Sequence, residues 1–164
     1  GALALRPDSR VLVGYAGVTP GAFADPIKGK ELALAQIGRG ADVIFQNADA
    51  AGLGVFQAAR ESGKAYVFGS NSNQNAVAPE VTVGSVVVDV PHAFLFVARQ
   101  VADGTFVPRV VPMGSSVDAV RLEMNPALLS VVPAAAIAAV DSVRAGIAAG
   151  KIIIEPGRPF PKAP

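Results

Sequence analysis

Two loops hold the residues of this sequence best suited to chemistry. Asn47-Ala48-Asp49-Ala50-Ala51-Gly52-Leu53-Gly54 leads from an aliphatic run into a helical pattern, and Gly69-Ser70-Asn71-Ser72-Asn73-Gln74 closes a second aliphatic run. The side chains of Asn47, Asp49, Asn71 and Asn73 supply hydrogen-bond donors and acceptors. Gly52 lets a guest approach the backbone where helix-start N–H groups point outward. Asp25, just before Pro26, adds a carboxylate at another loop. This is the chemistry of recognition and not of bond cleavage. His92 is the only histidine and sits beside Pro91 at a helix start, where a solvated position suits it. With no cysteine and no second histidine, a cysteine nucleophile and a metal site lack parts, and no credible Ser-His-Asp constellation gathers around His92. The expectation is therefore no enzyme, no metal and no cofactor. Gly52-Leu53-Gly54 is not a dinucleotide fingerprint either, because Gln57 stands where a third glycine belongs.

Each candidate also has a plainer reading. The 47–54 loop fits an ordinary strand-to-helix turn, with glycine supplying a positive φ. Asn71 and Asn73 can act as turn formers whose side chains bond their own backbone. Asp25 reads first as the N-cap of a helix with Pro26 in its first turn. Phe45 and Phe56 read as core residues, so an aromatic on the rim would have to come from Phe23 or from outside this chain.

The elements that must position these loops follow from the apolar pattern. Just over half of the 164 residues are apolar and 16% are charged, enough apolar material to bury a core and too little charge for a disordered chain. Formal net charge is +1, and the basic residues are scattered from Arg6 to Lys162. No basic stripe suggests a nucleic-acid partner, and no apolar run reaches the roughly 20 residues that span a bilayer. The chain opens on Gly1, as a trimmed N-terminus would, and shows no signal sequence.

The spacing predicts parallel strands near 11–16, 42–46, 65–69 and 82–86, with helices near 26–37, 53–62 and 91–103. Residues 106–113 and 117–124 read as extended. A helix over 132–150 would gather Val132, Ala136, Val140, Val143 and Ile147 on one face. Strands alternating with helices imply a doubly wound parallel α/β sheet flanked by helices on both faces. Residues 1–155 form this lobe, and 156–164, with four prolines, form an irregular tail. In such sheets ligands bind beyond the carboxyl ends of the strands, which places the loops at 17–25, 47–54, 69–76 and 113–118 on one rim.

Three segments together resemble one family. Gly29-Lys30-Glu31-Leu32-Ala33-Leu34-Ala35-Gln36-Ile37, Gly40-Ala41-Asp42-Val43-Ile44-Phe45-Gln46 and Gly52-Leu53-Gly54-Val55 look like the basic membrane protein family of type I periplasmic binding proteins. Many of its members are lipoproteins that recognise purine nucleosides for ABC importers. The resemblance runs from about Pro7 to Ile154, and the family's N-terminal half, with its lipobox and first lobe, has no counterpart in this chain. Asn71 and Asn73 match the acidic positions of the family motif Gly-x-Asp-x-Asp-Gln, where a carboxylate grips sugar hydroxyls. Ser85 is followed by Val88, where the family often has Lys three residues after Ser. Both departures take charge out of the implied site.

The resemblance implies a solute-binding component of an ABC importer, exported, lipid-anchored and partnered by a permease. Its ligand would be a small polar molecule, nucleoside-like, held between two lobes by hinge closure. The alternative is a ligand-sensing lobe of a regulator, and a flavodoxin-like enzyme ranks third. By the same resemblance, residues 90–113 would pack on a first lobe. Phe94, Leu95, Phe96, Val97 and Val101 make that segment too apolar to stand bare. Either it folds onto its own sheet, or a second chain covers it, as a homodimer or as the missing N-terminal lobe; the second arrangement is preferred.

Overall fold

The computed structural model describes residues 2–111 and 113–154, so the tail expected over 156–164 lies outside the described residues. The elements in chain order are α1 (Ala2–Leu5), α2 (Pro26–Gly38), β1 (Val43–Phe45), α3 (Gly52–Ser62), β2 (Tyr66–Asn71), β3 (Thr82–Val88), α4 (Val90–Ala102), β4 (Val120–Met124) and α5 (Ala134–Ala148). The chain divides into two compact units. One holds the residues up to Val88 with Leu122–Val131, and the other holds Asp89–Arg121 with the residues from Val132 onward.

The first unit is an α/β sheet flanked by helices. Strand order is β1-β2-β3-β4. β1 pairs with β2 in parallel, Ile44 opposite Val67, and β2 pairs with β3 in parallel, Gly69 opposite Ser85. The end of β4 meets the start of β3, because the Asn125 amide donates to the Val83 carbonyl at 2.8 Å. β4 therefore runs antiparallel, and the sheet is mixed at that edge.

α2 begins where the Asp-Pro pair predicts. The Asp25 carboxylate accepts from the Lys28 amide at 3.0 Å, and Pro26 takes the first helical position, where no N–H is needed. α3 stops at Gly63, whose φ of 60° is the left-handed conformation that glycine adopts without a steric penalty. Gly29, Ala33 and Ile37 form the buried face of α2. They pack against α3 so closely that a side chain at Gly54 would collide with the Pro26 carbonyl. One core joins these helices to the sheet through Ile44, Val55, Phe56, Ala58, Ala59 and Val67, with Phe56 only 1% exposed. Burying a side chain of that size contributes roughly 1.5–3 kcal/mol.

Several expectations need correction. Residues 11–16 form no strand. The Leu12 carbonyl accepts from Gln36 Nε2 on α2, and Val11, Val13 and Tyr15 stand exposed. The segment therefore meets α2 and enters no ladder. Phe45 is not core but 58% exposed. Side chains alternate across a strand, and Ile44 takes the core side, which turns Phe45 to the other face. Phe56 is core, as expected.

In the second unit α4 starts at an Asp89 cap, with the carboxylate accepting from the His92 amide at 2.9 Å. His92 itself is exposed. Arg121 pairs with Asp89 at 2.7 Å, and the His92 amide followed by the Arg121 guanidinium holds the Asp89 carboxyl below its ordinary range. Neither α4 nor α5 buries a residue. The stripe expected along the last helix is accordingly not a core face: Val140 and Val143 are exposed. Residues 105–111 form no strand, and their Val107 and Val110 are exposed. The extended run expected over 117–124 shortens to β4, because a 3-10 turn occupies Ser115–Val117.

Candidate functional site

The carboxyl ends of β1 and β2 lie side by side, and the loops that leave them form the rim of the first unit. β1 runs into the 46–52 loop, which enters α3 through a short 3-10 turn at Asp49–Ala51. β2 ends at Asn71 and turns back sharply, so residues 72–81 return to the start of β3 without a helix. A ten-residue return is short for a parallel pair. It is held by Arg60, whose guanidinium donates to the Val77 carbonyl at 3.0 Å and pairs with Glu80.

Three sequence-predicted residues meet on this rim. Asn71 Nδ2 donates to Asp49 Oδ1 at 3.1 Å, and Ser70 Oγ reaches Asn47 Oδ1 at 3.5 Å. Asn47, Asp49 and Asn71 are all exposed. Asp49 and Asn71 both hold left-handed backbone, at φ 47° and 66°. Non-glycine residues seldom adopt that conformation, and asparagine and aspartate tolerate it best. The cluster thus presents one carboxylate and two carboxamides to solvent, a set able to accept from and donate to hydroxyls and ring nitrogens.

Asn73, Gly52 and Asp25 are placed differently. Asn73 faces along the strand order toward β4, where its Nδ2 donates to Glu123 Oε2 at 2.6 Å and its Oδ1 accepts from the Asn75 amide at 3.0 Å. It borders a shallow hollow with Ala76, Pro79, Met124 and Pro126. Gly52 is buried, its amide closes onto the carbonyls of Ala50 and Asp49, and Gln46 fills the space beside it. Asp25 caps α2. The 3-10 turn before it, Pro20–Ala24, packs on the Asp49–Ala51 turn, so the cap borders the rim without joining the cluster.

Sequence reasoning passed over the polar layer beneath these tips. Gln46, Ser70, Asn75 and Ser85 are buried, and Gln74 is half-buried. In the sequence a glutamine closes the apolar run Val43-Ile44-Phe45 and a second ends the turn that follows Gly69, positions that a surface amide would equally suit. The carboxyl groups of this unit with shifted acidity serve the scaffold instead. Glu61 is held below its ordinary range by hydrogen bonds from Lys30 and Gln57, and Glu80 by its own backbone amide and by Arg60. Among the described residues, no group of three or more His, Cys, Asp and Glu side chains could hold a metal ion.

This arrangement can be set beside known proteins. The family model for PnrA-like ABC transporter substrate-binding proteins matches residues 1–148. Among characterised relatives, the ABC transporter nucleoside-binding protein BmpA of Lactococcus lactis subsp. cremoris (strain MG1363) is 37% identical over 81 residues, 45% of this chain and 22% of that protein. Two solved ABC transporter solute-binding proteins share the fold. The one from Conexibacter woesei DSM 14684 superposes with a TM-score of 0.72 at 24% identity, over 94% of this chain and 49% of its own. The one from Aeropyrum pernix K1 gives 0.71 at 18% identity, over 84% of this chain and 46% of its own. A transcriptional activator of the comK gene from Bacillus halodurans has the same fold, at 0.70 and 18% identity, over 81% of this chain and 46% of its own. The chain spans about half the length of these solved structures.

Proposed function

The chain belongs to the Bmp family of PnrA-like ABC transporter substrate-binding proteins, and from that membership we propose that it is a ligand-gripping lobe of a solute receptor serving an ABC importer. Its ligand is a small polar molecule, nucleoside-like, and its work is capture and release, not catalysis. The observation that carries this reading is the family match over residues 1–148. The BmpA relative, described as nucleoside-binding, supports the ligand class.

At the rim, Asp49 accepts from sugar hydroxyls with charge assistance. Asn47 and Asn71 add carbonyl acceptors and amide donors. Asn73 meets the ligand from the β4 side, while Gly52 and Asp25 shape the loop and the helix start around it. The exposed cluster is half of a cleft, and closure against an opposing surface supplies the rest. In the whole protein we place the receptor outside the cytoplasmic membrane, anchored as a lipoprotein and docking on a permease. Among the described residues, no helix is long and apolar enough to cross a membrane. A first lobe or a second copy of the chain covers the apolar residues of α4.

Calorimetric titration of the chain with inosine, adenosine, uridine and ribose tests the reading. Saturable binding of at least one nucleoside, with ribose weaker, is the expected result. No heat and no thermal shift with any of the four would overturn it. Restoring a cation with Val88→Lys should tighten nucleoside binding, whereas Asn71→Asp or Asn73→Asp would lose the amide donor to Asp49 or Glu123 and set two carboxylates in contact. Val88 is exposed at the end of β3, so a lysine there has room to reach outward.

A further inference from the structure

The two rim loops are tied together beneath their exposed tips by a pair of glutamines. Gln46 Nε2 donates to Gln74 Oε1 at 2.6 Å, and the Ser70 amide donates to the same oxygen at 3.0 Å. Gln46 Oε1 accepts from the Ala48 amide at 3.1 Å. The Gln74 backbone N–H donates to Ser85 Oγ at 3.0 Å, and that hydroxyl donates to Asn75 Oδ1 at 2.8 Å. The backbone of the 46–52 loop is thereby joined to that of residues 70–75 through two side chains.

Glycines make room for this pair. A side chain at Gly52 would collide with the Gln46 amide, and a Cβ at Gly69 would lie 2.8 Å from Gln74 Oε1. Buried amides destabilise a fold unless they are hydrogen-bonded. Among the described residues, every buried side-chain nitrogen and oxygen has a partner. Apolar residues could fill the same space, but they would leave the loops unlinked.

We propose that Gln46 and Gln74 are positioning residues, a latch that sets the two rim loops in one register so that Asn47, Asp49 and Asn71 present a single binding arrangement. The latch keeps the left-handed residues Asp49 and Asn71 in place before ligand arrives, so ordering them does not weaken binding. It touches no ligand. That it serves nucleoside capture rests on the function proposed above.

The test uses the full chain with Gln74→Met, which keeps the length of the arm and loses the acceptor, and Gln74→Glu, which keeps an acceptor oxygen. Inosine affinity, melting temperature and amide hydrogen exchange are read together. Gln74→Met should weaken inosine about tenfold, as loss of a hydrogen-bonded link does. It should also speed exchange at Ala48 and Ser70 while the α3 amides at Phe56 and Ala59 stay slow. Gln74→Glu should stay close to the parent. Gln46→Met should give the same losses, and the double variant no more than either alone, because both break one link. A lowered melting temperature with unchanged affinity and loop exchange would assign the pair to scaffold stability and overturn the proposal, as would additive losses. If the parent chain binds none of the nucleosides, the function reading fails and exchange alone decides the latch. Faster exchange in both loops of Gln74→Met sustains it, and unchanged exchange sinks it. Should Gln74→Met not fold, Gln74→Asn shortens the arm by one methylene and gives the same readouts.

Discussion

α3 and α4 each follow a strand and have similar length, 11 and 13 residues, yet their surroundings are opposite. α3 buries Gly52, Gly54, Val55, Phe56, Ala58 and Ala59, whereas α4, with Phe94, Leu95, Phe96, Val97 and Val101, buries none. The more apolar helix is the exposed one. Burial follows from a matching surface at the right distance. The small residues of α3 let α2 and β2 come close, and the bulky residues of α4 leave Phe94 73% exposed.

The sharpest way to break this comparison is to truncate one aromatic in each helix. Phe56→Ala should destabilise by about 3–5 kcal/mol, the usual effect of emptying a core position. Phe94→Ser should stay within about 0.5 kcal/mol, as at exposed sites. Urea unfolding followed by circular dichroism measures both. Equal losses would mean that α4 is as firmly packed as α3.

The close approach of α3 to α2 comes next. Gly54→Ala puts a methyl group against the Pro26 carbonyl and should cost about 1–3 kcal/mol through overpacking. Gly104→Ala, after α4, has open space around it but a φ of 68°, so its smaller loss, about 1 kcal/mol, comes from backbone strain alone. If the two shifts in urea midpoint match, crowding does not set the packing of α3.

A smaller effect separates the helix starts. Asp25→Ala removes the cap of α2 and should destabilise the first unit by about 1 kcal/mol, measured by thermal melting. A change within error would show that Pro26 alone fixes the start.

The smallest effect is the pH response of α4. Its Asp89 cap has a folded-state carboxyl pKa below the unfolded value, so the cap's contribution is fully present above the unfolded pKa of about 3.9. It is lost as pH falls further, through the depressed folded value. Faster hydrogen exchange of the His92 and Ala93 amides below about pH 4, corrected for the intrinsic rate, is the expected sign. Asp89→Asn should remove the pH step. Persistence of the step in that variant would assign it to another group.

The local signals of the first unit were legible in the sequence. Asp25-Pro26 started α2, Gly63 ended α3, and the runs around Ile44, Val67 and Val83 became parallel strands or their neighbours. The Val11–Tyr15 run misled because its composition suits a strand, while a strand also requires a ladder partner, and α2 took the Leu12 carbonyl instead. Phe45 misled because a three-residue strand leaves the identity of its inner face open until the helices dock on it. At the site, Asn47, Asp49 and Asn71 could be placed on one rim by position alone. The direction of Asn73 could not, since its partner Glu123 lies 50 residues away on a strand that runs the other way.

What the sequence determined by itself was the family, the α/β alternation and the polarity of the rim, because these follow from residue types and their spacing along the chain. Tertiary structure alone decided which glutamines lie beneath the loops. Gln46 and Gln74 are 28 residues apart, and nothing local distinguishes them from surface amides. Only docking of β1 beside β2, with Gly52 and Gly69 clearing the space, brings one carboxamide to the other and takes both partly or wholly out of water. Once there, each must be hydrogen-bonded, and that requirement ties the two loops together.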